Sequence, residues 1–248
     1  MPEINENLIS ELEKIQDPQE LIGHLYRTFG NRCAIGTSGQ LTGTAMIDQA
    51  IQAGITKPRV FTIDTLRLFP ETYQLFEAIE KRYQIHIERL EPDSQKLGEM
   101  VKEHGEFLFF DSKEKQELCC GLRKVEPNDR ALETLDVWLA GLRTDQSQER
   151  SGKSRFEIIT DKKGRSILKV APLLFWTEKQ ARDYCAVHQV PIHKLLNVNH
   201  NGWYYESLGC VICTTPIGPT EPRRAGRWRW FKDDANKECG LHVVKKDE

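Results

Sequence analysis

Two pairs of cysteines constrain this 248-residue chain more than any other feature of its sequence. Cys119 and Cys120 are adjacent, whereas Cys210 and Cys213 form a Cys-x-x-Cys motif that begins 90 residues after Cys120. Two pairs so far apart can meet only if the fold brings them together. The residues between them must therefore form the scaffold of a common site.

The four cysteines indicate a metal centre. Paired ligands of a structural zinc ion are normally two to four residues apart, whereas Cys119 and Cys120 are neighbours. Successive residues of a helix diverge by about 100° around its axis, so this pair suits separate corners of a multi-iron cluster. The pattern favours a [4Fe-4S] cluster with four thiolate ligands; a zinc ion and a vicinal disulfide are the alternatives. We expect Cys33 and Cys185 to be buried as small hydrophobic residues.

The composition gives no overall bias towards nucleic acid or membranes: 39% of the residues are hydrophobic, 29% are charged and the net charge is -2. Residues 1–14 alternate acidic and apolar side chains, which predicts an amphipathic helix and not a signal peptide. No apolar stretch is long enough to span a bilayer. Seven cysteines without an export signal favour a reducing compartment, so we expect a cytoplasmic protein.

Alternating strand and helix patterns predict an α/β fold with a mainly parallel sheet and helices on both faces. We expect an α/β domain over residues 1–190, and an irregular C-terminal segment over residues 191–248 that packs on it. Strands are expected at residues 33–37, 60–63, 85–90, 135–141 and 167–174. Two helices are expected within residues 5–29, a third after the loop of residues 38–43 and through residue 53, and a fourth that begins at Pro70. Further helices are expected over residues 113–126, with Pro127 ending the helix, and from Thr177 to His188.

In such a sheet the ligand binds at the carboxyl ends of the strands. A Ser/Gly loop follows the first strand and precedes a helix, a geometry in which backbone N–H groups and the helix dipole can hold a phosphate-like anion. The alternative is that this loop is an ordinary turn between a strand and a helix. Arg67 is expected on the ligand side of the sheet, and the alternative for it is a surface ion pair with Asp64. We expect the charged loop 146–155 to fold over the ligand. The residues expected at this edge are Ser38, Gly39, Asp64, Thr65, Arg67 and Arg143.

Residues 205–242 combine a paired thiol motif, a cationic and aromatic segment, and Cys239 three residues before His242. This closeness predicts one site in which a metal centre, an anionic substrate and a sulfur nucleophile meet. Two alternatives concern parts of this segment. Residues 221–232 could be a nucleic-acid patch with bases stacked on tryptophan, and Cys239 with His242 could be metal ligands.

Several segments together resemble the assimilatory adenylyl-sulfate reductases, the cluster-bearing relatives of phosphoadenylyl-sulfate reductase. The resemblance covers about residues 30–242. The segments are Cys119-Cys120-Gly-Leu-Arg-Lys-Val-Glu-Pro127, Cys210-Val-Ile-Cys213, Arg224-Ala-Gly-Arg227-Trp, Lys237-Glu-Cys-Gly-Leu-His242, Asp64-Thr65, Pro-Glu-Thr at 70–72 and Arg143-Thr-Asp-Gln-Ser147.

The resemblance implies a nucleotide-binding fold of the adenine nucleotide α-hydrolase type and a [4Fe-4S] cluster. It also implies reduction of adenosine 5′-phosphosulfate to sulfite and AMP through a Cys S-sulfo intermediate, within sulfate assimilation and cysteine biosynthesis. The implied electron donor is thioredoxin or glutaredoxin; no nucleic acid or membrane partner is expected, and a homo-oligomer is compatible with the sequence.

The same resemblance implies roles for individual residues. Cys239 matches the nucleophile, with His242 beside it, and the cluster is implied to position Lys124, which we expect about one helical turn from Cys120. The implied cluster ligands are Cys119, Cys120, Cys210 and Cys213. The implied substrate-binding residues include Lys124, Arg224 and Arg227 for the phosphosulfate and Arg143 for the nucleotide.

The Ser38 loop departs from the family, because Leu41 and Thr42 stand where an acidic pair usually follows the glycine region. Discrimination against a 3′-phosphate is therefore open, and a reductase of the 3′-phosphorylated nucleotide is the main alternative. A tRNA-thiolating enzyme would be expected to carry a Ser-Gly-Gly-x-Asp-Ser loop, which this chain lacks. A zinc-containing nucleic-acid-binding module would have no use for Cys239.

Overall fold

Six strands form one sheet in the computed structural model, which describes residues 2–146 and 152–231. The strands are β1 (Cys33–Gly36), β2 (Val60–Ile63), β3 (Ile87–Leu90), β4 (Val137–Ala140), β5 (Phe156–Thr160) and β6 (Ser166–Val170). Their order is β3-β2-β1-β4-β6-β5, and every pairing is parallel except that of β5 with β6. The expected parallel sheet is confirmed.

The central strands are apolar along their whole length because both sheet faces are covered, as is typical of parallel sheets. Cys33, Ala34 and Ile35 of β1 are fully buried. The helices are α1 (Glu6–Leu12), α2 (Pro18–Phe29), α3 (Leu41–Gln52), α4 (Pro70–Tyr83), α5 (Ser94–His104), α6 (Lys113–Cys120), α7 (Glu126–Leu132) and α8 (Glu178–Val187). On one face of the sheet Ile35 belongs to a cluster with residues of α2, α3, α4 and α8, and on the other Ala34 belongs to a cluster with α7.

Two helix starts are where the sequence predicted them, at Pro70 of α4 and at Thr177 before α8. α2 and α4 both begin with proline. Proline lacks a backbone N–H, and this costs little in a first turn because N–H groups there have no partner within the helix. Thr177 caps α8 through a reciprocal capping box with Gln180. These caps fix the directions in which α4 and α8 leave the sheet edge.

The expectation that Pro127 ends the helix of residues 113–126 was wrong. α6 continues into a π-helical turn, Gly121–Val125, and then into α7, where Pro127 occupies the first turn. A first-turn proline is tolerated because its backbone nitrogen is not needed for a helical hydrogen bond. The turn between Cys120 and Lys124 is therefore π-helical and not the α-helical turn that we expected.

The sequence patterns did not predict α5 or β5. α5 buries only Met100, and β5 is an edge strand that pairs antiparallel with β6. The predicted strand at 167–174 ends at Val170. Residues 147–151 of the charged loop 146–155 lie outside the described residues, so the expectation that this loop folds over the ligand stays a prediction. At the end of the loop the Arg155 Nη1 donates to the Ile15 carbonyl, 2.9 Å away, on the connection between α1 and α2.

The sheet reverses its order between β1 and β4. From β1 the chain adds β2 and β3 on one side, and β4 then starts the other side. A crevice opens at the carboxyl ends of the strands at such a switch point, which is the usual ligand site of an open α/β sheet. The loops that begin at Thr37 and at Gly141 leave the sheet there.

The segment after α8 packs along this same edge. It includes a short hairpin of β7 (Asn199–His200) and β8 (Trp203–Tyr204). The Val211 N–H donates to the Arg67 carbonyl, 2.8 Å away. The chain then returns antiparallel to itself, with a bridge between Thr214 and Arg227. Among the described residues, no helix is long and apolar enough to cross a membrane.

Candidate functional site

A cavity of about 200 Å³ lies at the switch point, between the ends of β1 and β4. Its floor comes from Thr37 and Ser38 after β1 and from Gly141 and Leu142 after β4. The C-terminal segment closes the opposite side, where Leu208 accepts a hydrogen bond from the Gln40 side chain at 3.1 Å. The sheet edge and the C-terminal segment thus line one cavity.

The loop between β1 and α3 has the turn that the sequence predicted. Gly39 has φ = +72°, a left-handed conformation that glycine adopts at low cost. Its N–H donates to the Thr37 hydroxyl, 3.1 Å away. Ser38 lines the cavity, and the N-terminus of α3 follows at Leu41. The positive end of the α3 dipole is therefore directed towards this part of the site.

Arg227 is a buried cation of the cavity wall, with 4% of its surface exposed. Its Nη1 donates to the Leu208 carbonyl at 3.3 Å, and its guanidinium lies 4.7 Å from the centroid of the Trp228 ring. Its Nε and Nη2 have no hydrogen-bond partner within residues 2–146 and 152–231. The guanidinium packs against Gly209, where an added Cβ would overlap it. Lys124 and Arg224 line the same cavity.

A second wall of the cavity carries a network of ion pairs. Arg223 donates from Nε to Glu206 at 2.6 Å, from Nη1 to the Asp145 carbonyl at 2.8 Å, and from Nη2 to Glu178. Arg182 donates from Nε to the other oxygen of Glu178 at 2.6 Å. Burial raises the pKa of Glu206, against the lowering effect of neighbouring arginine charges. The network joins four separate stretches of chain around the cavity.

Arg143 is held within this wall. Its Nε donates to Asp145 at 2.9 Å and its Nη1 donates to the Thr42 hydroxyl at 2.7 Å. Asp145 also accepts the N–H of Glu178 at the start of α8. Arg143 lines the cavity, as expected for a residue that follows β4.

The four paired cysteines meet in one buried cluster beside the cavity. Cys119, Cys210 and Cys213 are buried with Trp228 and Phe109, and Cys120 packs against them. The Cys210 thiol donates to the Thr65 hydroxyl at 3.2 Å. All four are free thiols, so the vicinal disulfide is not formed. Burial raises the pKa of Cys119, and burial with the neighbouring Cys210 and Cys120 raises that of Cys213 to about 12.

Two arginines that sequence reasoning did not assign to this cluster lie next to Cys119. Arg123 donates from Nη1 to the Thr65 carbonyl at 2.7 Å and also hydrogen-bonds Cys119. Arg67 lies over the Phe109 ring and donates to the Glu106 carbonyl at 2.8 Å. Both positive charges lower the pKa of Cys119 against the effect of burial.

Three buried N–H groups around these thiols lack a hydrogen-bond partner in the described part of the chain: Arg67 Nη1, Arg123 Nε and Trp228 Nε1. Buried donors without partners are rare in folded proteins and call for an explanation. Near Cys120 the Gln116 amide donates to the sulfur at 3.1 Å and accepts from the Lys113 ammonium at 2.9 Å. No three His, Cys, Asp or Glu side chains within residues 2–146 and 152–231 are grouped to hold a single metal ion.

The predicted site residues divide into three groups. Ser38, Thr65, Lys124, Arg143, Arg224 and Arg227 line the cavity. Asp64 and Arg67 do not line it. The Asp64 carboxylate accepts hydrogen bonds from the Leu66 N–H and the Tyr73 hydroxyl, both at 2.8 Å. Arg67 forms its ion pair with Glu106 and not with Asp64, which was the alternative expected for it. Gly39 shapes the loop without lining the cavity. Cys239 and His242 lie outside the described residues.

The cationic segment of residues 221–231 is turned into the protein. Trp228 is 2% exposed, and the Trp230 indole donates to the Phe109 carbonyl at 3.1 Å. Arg229 pairs with Glu221. A base could not stack on Trp228 without rearrangement of this segment, which argues against the nucleic-acid patch.

Burial of the two remaining described cysteines is confirmed, since Cys33 is fully buried and Cys185 is 2% exposed. Burial raises the pKa of the Cys33 thiol and raises that of Cys185 to about 11. Both are therefore protonated at neutral pH and are poor nucleophiles.

Comparison with known proteins agrees with this arrangement. The adenosine 5′-phosphosulfate reductase of Sinorhizobium fredii is 38% identical over 208 residues, which is 82% of this chain and 79% of that protein. The crystal structure of phosphoadenylyl-sulfate reductase from Candida auris in a phosphate complex superposes with a TM-score of 0.67 at 27% identity, over 86% of this chain and 99% of that one.

The FMN adenylyltransferase of Candida glabrata superposes with a TM-score of 0.54 at 15% identity, over 87% of this chain and 69% of that chain, a likeness of fold alone. The sheet is thus of the adenine nucleotide α-hydrolase type, as the resemblance implied. The phosphoadenosine phosphosulfate reductase domain matches residues 32–216. From this match and the identity to the Sinorhizobium protein, it follows that the chain belongs to the phosphoadenosine phosphosulfate reductase family.

Proposed function

We propose that this protein reduces adenosine 5′-phosphosulfate to sulfite and AMP with thioredoxin, or glutaredoxin, as the electron donor. Membership of the family makes it an oxidoreductase of sulfate assimilation. The choice of substrate is supported by the relatives that are named for the same nucleotide. The observation that carries the proposal is the buried Arg227, whose Nε and Nη2 lack partners in the described residues at the wall of a cavity also lined by Lys124 and Arg224.

The cationic end of the cavity suits a phosphosulfate. Attack by a thiolate on the sulfate sulfur is opposed by the negative oxygens of the substrate, so fixed cations must surround them. We assign this role to Lys124, Arg224 and Arg227. An arginine can donate two parallel hydrogen bonds to one oxyanion group, which would satisfy the two N–H groups of Arg227.

In the proposed reaction the Cys239 thiolate forms a bond to the sulfate sulfur. The bond between that sulfur and the bridging oxygen breaks, and AMP leaves with its phosphate neutralised by the same cations. A thiol of the reduced donor then attacks the Cys239 sulfur and releases sulfite, forming a mixed disulfide. The second donor thiol resolves this disulfide, so the donor leaves oxidised and Cys239 regains its thiol.

We propose Cys119, Cys120, Cys210 and Cys213 as the ligands of a [4Fe-4S] cluster. The chemistry of the donor set fits, because the four thiols meet in one buried cluster beside the cavity. In such a cluster each thiolate binds its own iron, so no single ion needs three of these ligands. The N–H groups of Arg67, Arg123 and Trp228 that lack a partner among the described residues suit hydrogen bonds to cluster sulfur. When bound, the cluster would tune the electrostatics around Lys124 without supplying the electrons.

The metal proposal predicts about four irons and four sulfides per chain in anaerobically purified protein. Cys119→Ser and Cys213→Ser should lose them, since each removes one thiolate ligand, while Cys185→Ala should retain them. Iron analysis, acid-labile sulfide analysis and visible absorption measure the outcome. One zinc per chain with no acid-labile sulfide would contradict the proposal.

Sulfite release from the two candidate nucleotides tests the activity. With reduced thioredoxin, we expect a higher kcat/KM for adenosine 5′-phosphosulfate than for its 3′-phosphorylated form, because kcat/KM reports differential transition-state binding. Glutaredoxin, supplied in place of thioredoxin, tests the donor. Absence of sulfite from both nucleotides would overturn the proposal.

The 3′-phosphorylated nucleotide is the second candidate substrate. The Candida auris neighbour is a phosphoadenylyl-sulfate reductase, and Thr42, which stands in the loop where an acidic pair is usual, accepts a hydrogen bond from Arg143. A higher kcat/KM for the 3′-phosphorylated form would establish this alternative. A cytoplasmic location, the two-part division at residue 190 and the oligomeric state stay predictions.

A further inference from the structure

The charges that line the cavity are unevenly placed. Within the described residues, its lining contains two carboxylates, Glu178 and Glu206, and both belong to the wall that carries Arg182 and Arg223. The cations of the lining are Lys124, Arg143, Arg182, Arg223, Arg224 and Arg227. Negative charge is thus concentrated on one wall and is held there by arginine.

The guanidinium of Arg223 is fully engaged by this wall. Each of its three nitrogens donates a hydrogen bond, to Glu206, to the Asp145 carbonyl and to Glu178. Arg182 is bound to Glu178 in the same way. A phosphate placed here would meet two carboxylates and would have to displace one of them to reach an arginine, which like-charge repulsion opposes.

This wall is close in the chain to the cationic end. Glu206 is two residues before Leu208, whose carbonyl accepts from Arg227. The ribose of a nucleotide is joined directly to its 5′-phosphate. A nucleotide whose phosphosulfate binds at Arg227 therefore has its sugar within reach of the next part of the lining, which includes Glu206 and Ser207.

We infer that Glu206, held by Arg223, is a specificity-determining carboxylate that selects a ribose with free hydroxyls over a ribose that carries a phosphate. The inference rests on the proposed function, and it names the residue that sets the substrate preference. Dinucleotide-binding sites use the same chemistry. There a carboxylate accepts a hydrogen bond from a ribose hydroxyl, and an arginine accommodates a phosphate on that hydroxyl. Leu41 and Thr42 carry no charge where an acidic pair usually follows the Ser38 loop. In this chain Glu206, on the wall that carries Arg182 and Arg223, supplies the carboxylate instead.

Removal of the Glu206 charge should convert the wall into a phosphate site, because Arg223 loses an anionic partner there and a phosphate no longer meets the charge of that carboxylate. The test measures binding of AMP and of adenosine 3′,5′-bisphosphate to the full chain, purified anaerobically, by isothermal titration calorimetry. Wild-type protein should bind AMP at least as tightly as the bisphosphate. Glu206→Gln should shift the affinity ratio towards the bisphosphate by about tenfold, the scale of one hydrogen bond to a charged group.

Three further variants distinguish specificity from a structural role. Glu206→Asp keeps the charge and should keep the wild-type ratio. The double variant Glu206→Gln with Arg223→Ala should lose the gain, because the receiving guanidinium is removed. Glu221→Gln is the matched control, since Glu221 pairs with Arg229 and is not part of the cavity lining; it should leave the ratio unchanged.

The outcomes separate this inference from the proposed function. AMP binding with the same ratio in wild type and Glu206→Gln would overturn the inference alone. Tighter binding of the bisphosphate by wild-type protein would also overturn it. Failure of the wild type to bind either nucleotide would overturn the proposed function and this inference together.

Discussion

Replacement of Cys239 by Ser is expected to abolish sulfite release while leaving nucleotide binding and metal content unchanged. The proposed first step is thiolate attack on sulfur, and a serine hydroxyl is not ionised at neutral pH. Because this step needs no reductant, wild-type protein with substrate alone should release AMP once per active site and then stop. Rapid-quench measurement of AMP, and intact-protein mass spectrometry for one added sulfonate group, check the result.

The buried cysteines provide the controls for this experiment. With its pKa raised to about 11, Cys185 is protonated at neutral pH, and Cys33 is also buried with a raised pKa. Cys185→Ala should therefore keep the AMP burst and the adduct. An adduct mapped to Cys33 or Cys185, or full turnover in Cys239→Ser, would contradict the proposed mechanism.

Arg227→Ala is expected to reduce kcat/KM by about 30- to 1,000-fold, which corresponds to ~2–4 kcal/mol of transition-state stabilisation. The reason is that the buried guanidinium, held by Leu208 and the Trp228 ring, is preorganised towards the cavity. Arg227→Lys should recover only part of the loss, because an ammonium cannot make the paired hydrogen bonds of a guanidinium. Steady-state kinetics with adenosine 5′-phosphosulfate provide the measurement.

Arg229→Ala is the matched control for Arg227→Ala. Arg229 is two residues away, pairs with Glu221 and is not among the residues that line the cavity, so its removal should change kcat/KM by less than about threefold. The visible spectrum of each variant reports whether the metal centre is intact. Unchanged kcat/KM in Arg227→Ala would remove this residue from the site.

The sheet could be predicted because its central strands are short apolar runs with turn residues on both sides, as at 33–36, 60–63 and 137–140. Elements with mixed patterns could not. β5 is an edge strand in which Phe156 alone is buried, and α5 contributes one buried residue to the fold. Pro127 was misleading because local rules treat it as a helix breaker, whereas the π-helical turn before it places it in a first turn.

The candidate site was predictable where the sequence contains a motif. The cysteine pairs, and the cations at 124, 224 and 227, stand in recognisable segments, and the structure brings them to one edge of the sheet. Arg123 carried a usable signal, since it is four residues after Cys119, the same spacing that separates Lys124 from Cys120. Glu206 and Arg223 carried none, because their pairing depends on contacts between distant segments of chain.

The π-helical turn at Gly121–Val125 makes the length of this stretch as important as its residues. It separates two neighbouring charges: Arg123 binds the Thr65 carbonyl beside the thiols, and Lys124 lines the cavity. A π-helical turn contains one residue more than an α-helical turn. Deletion of a single residue here would remove the extra residue that the π-helical turn accommodates and leave a regular α-helix, so Arg123 and Lys124 could not both keep their positions. In relatives that keep this arrangement, substitutions within the turn should be tolerated more readily than insertions or deletions.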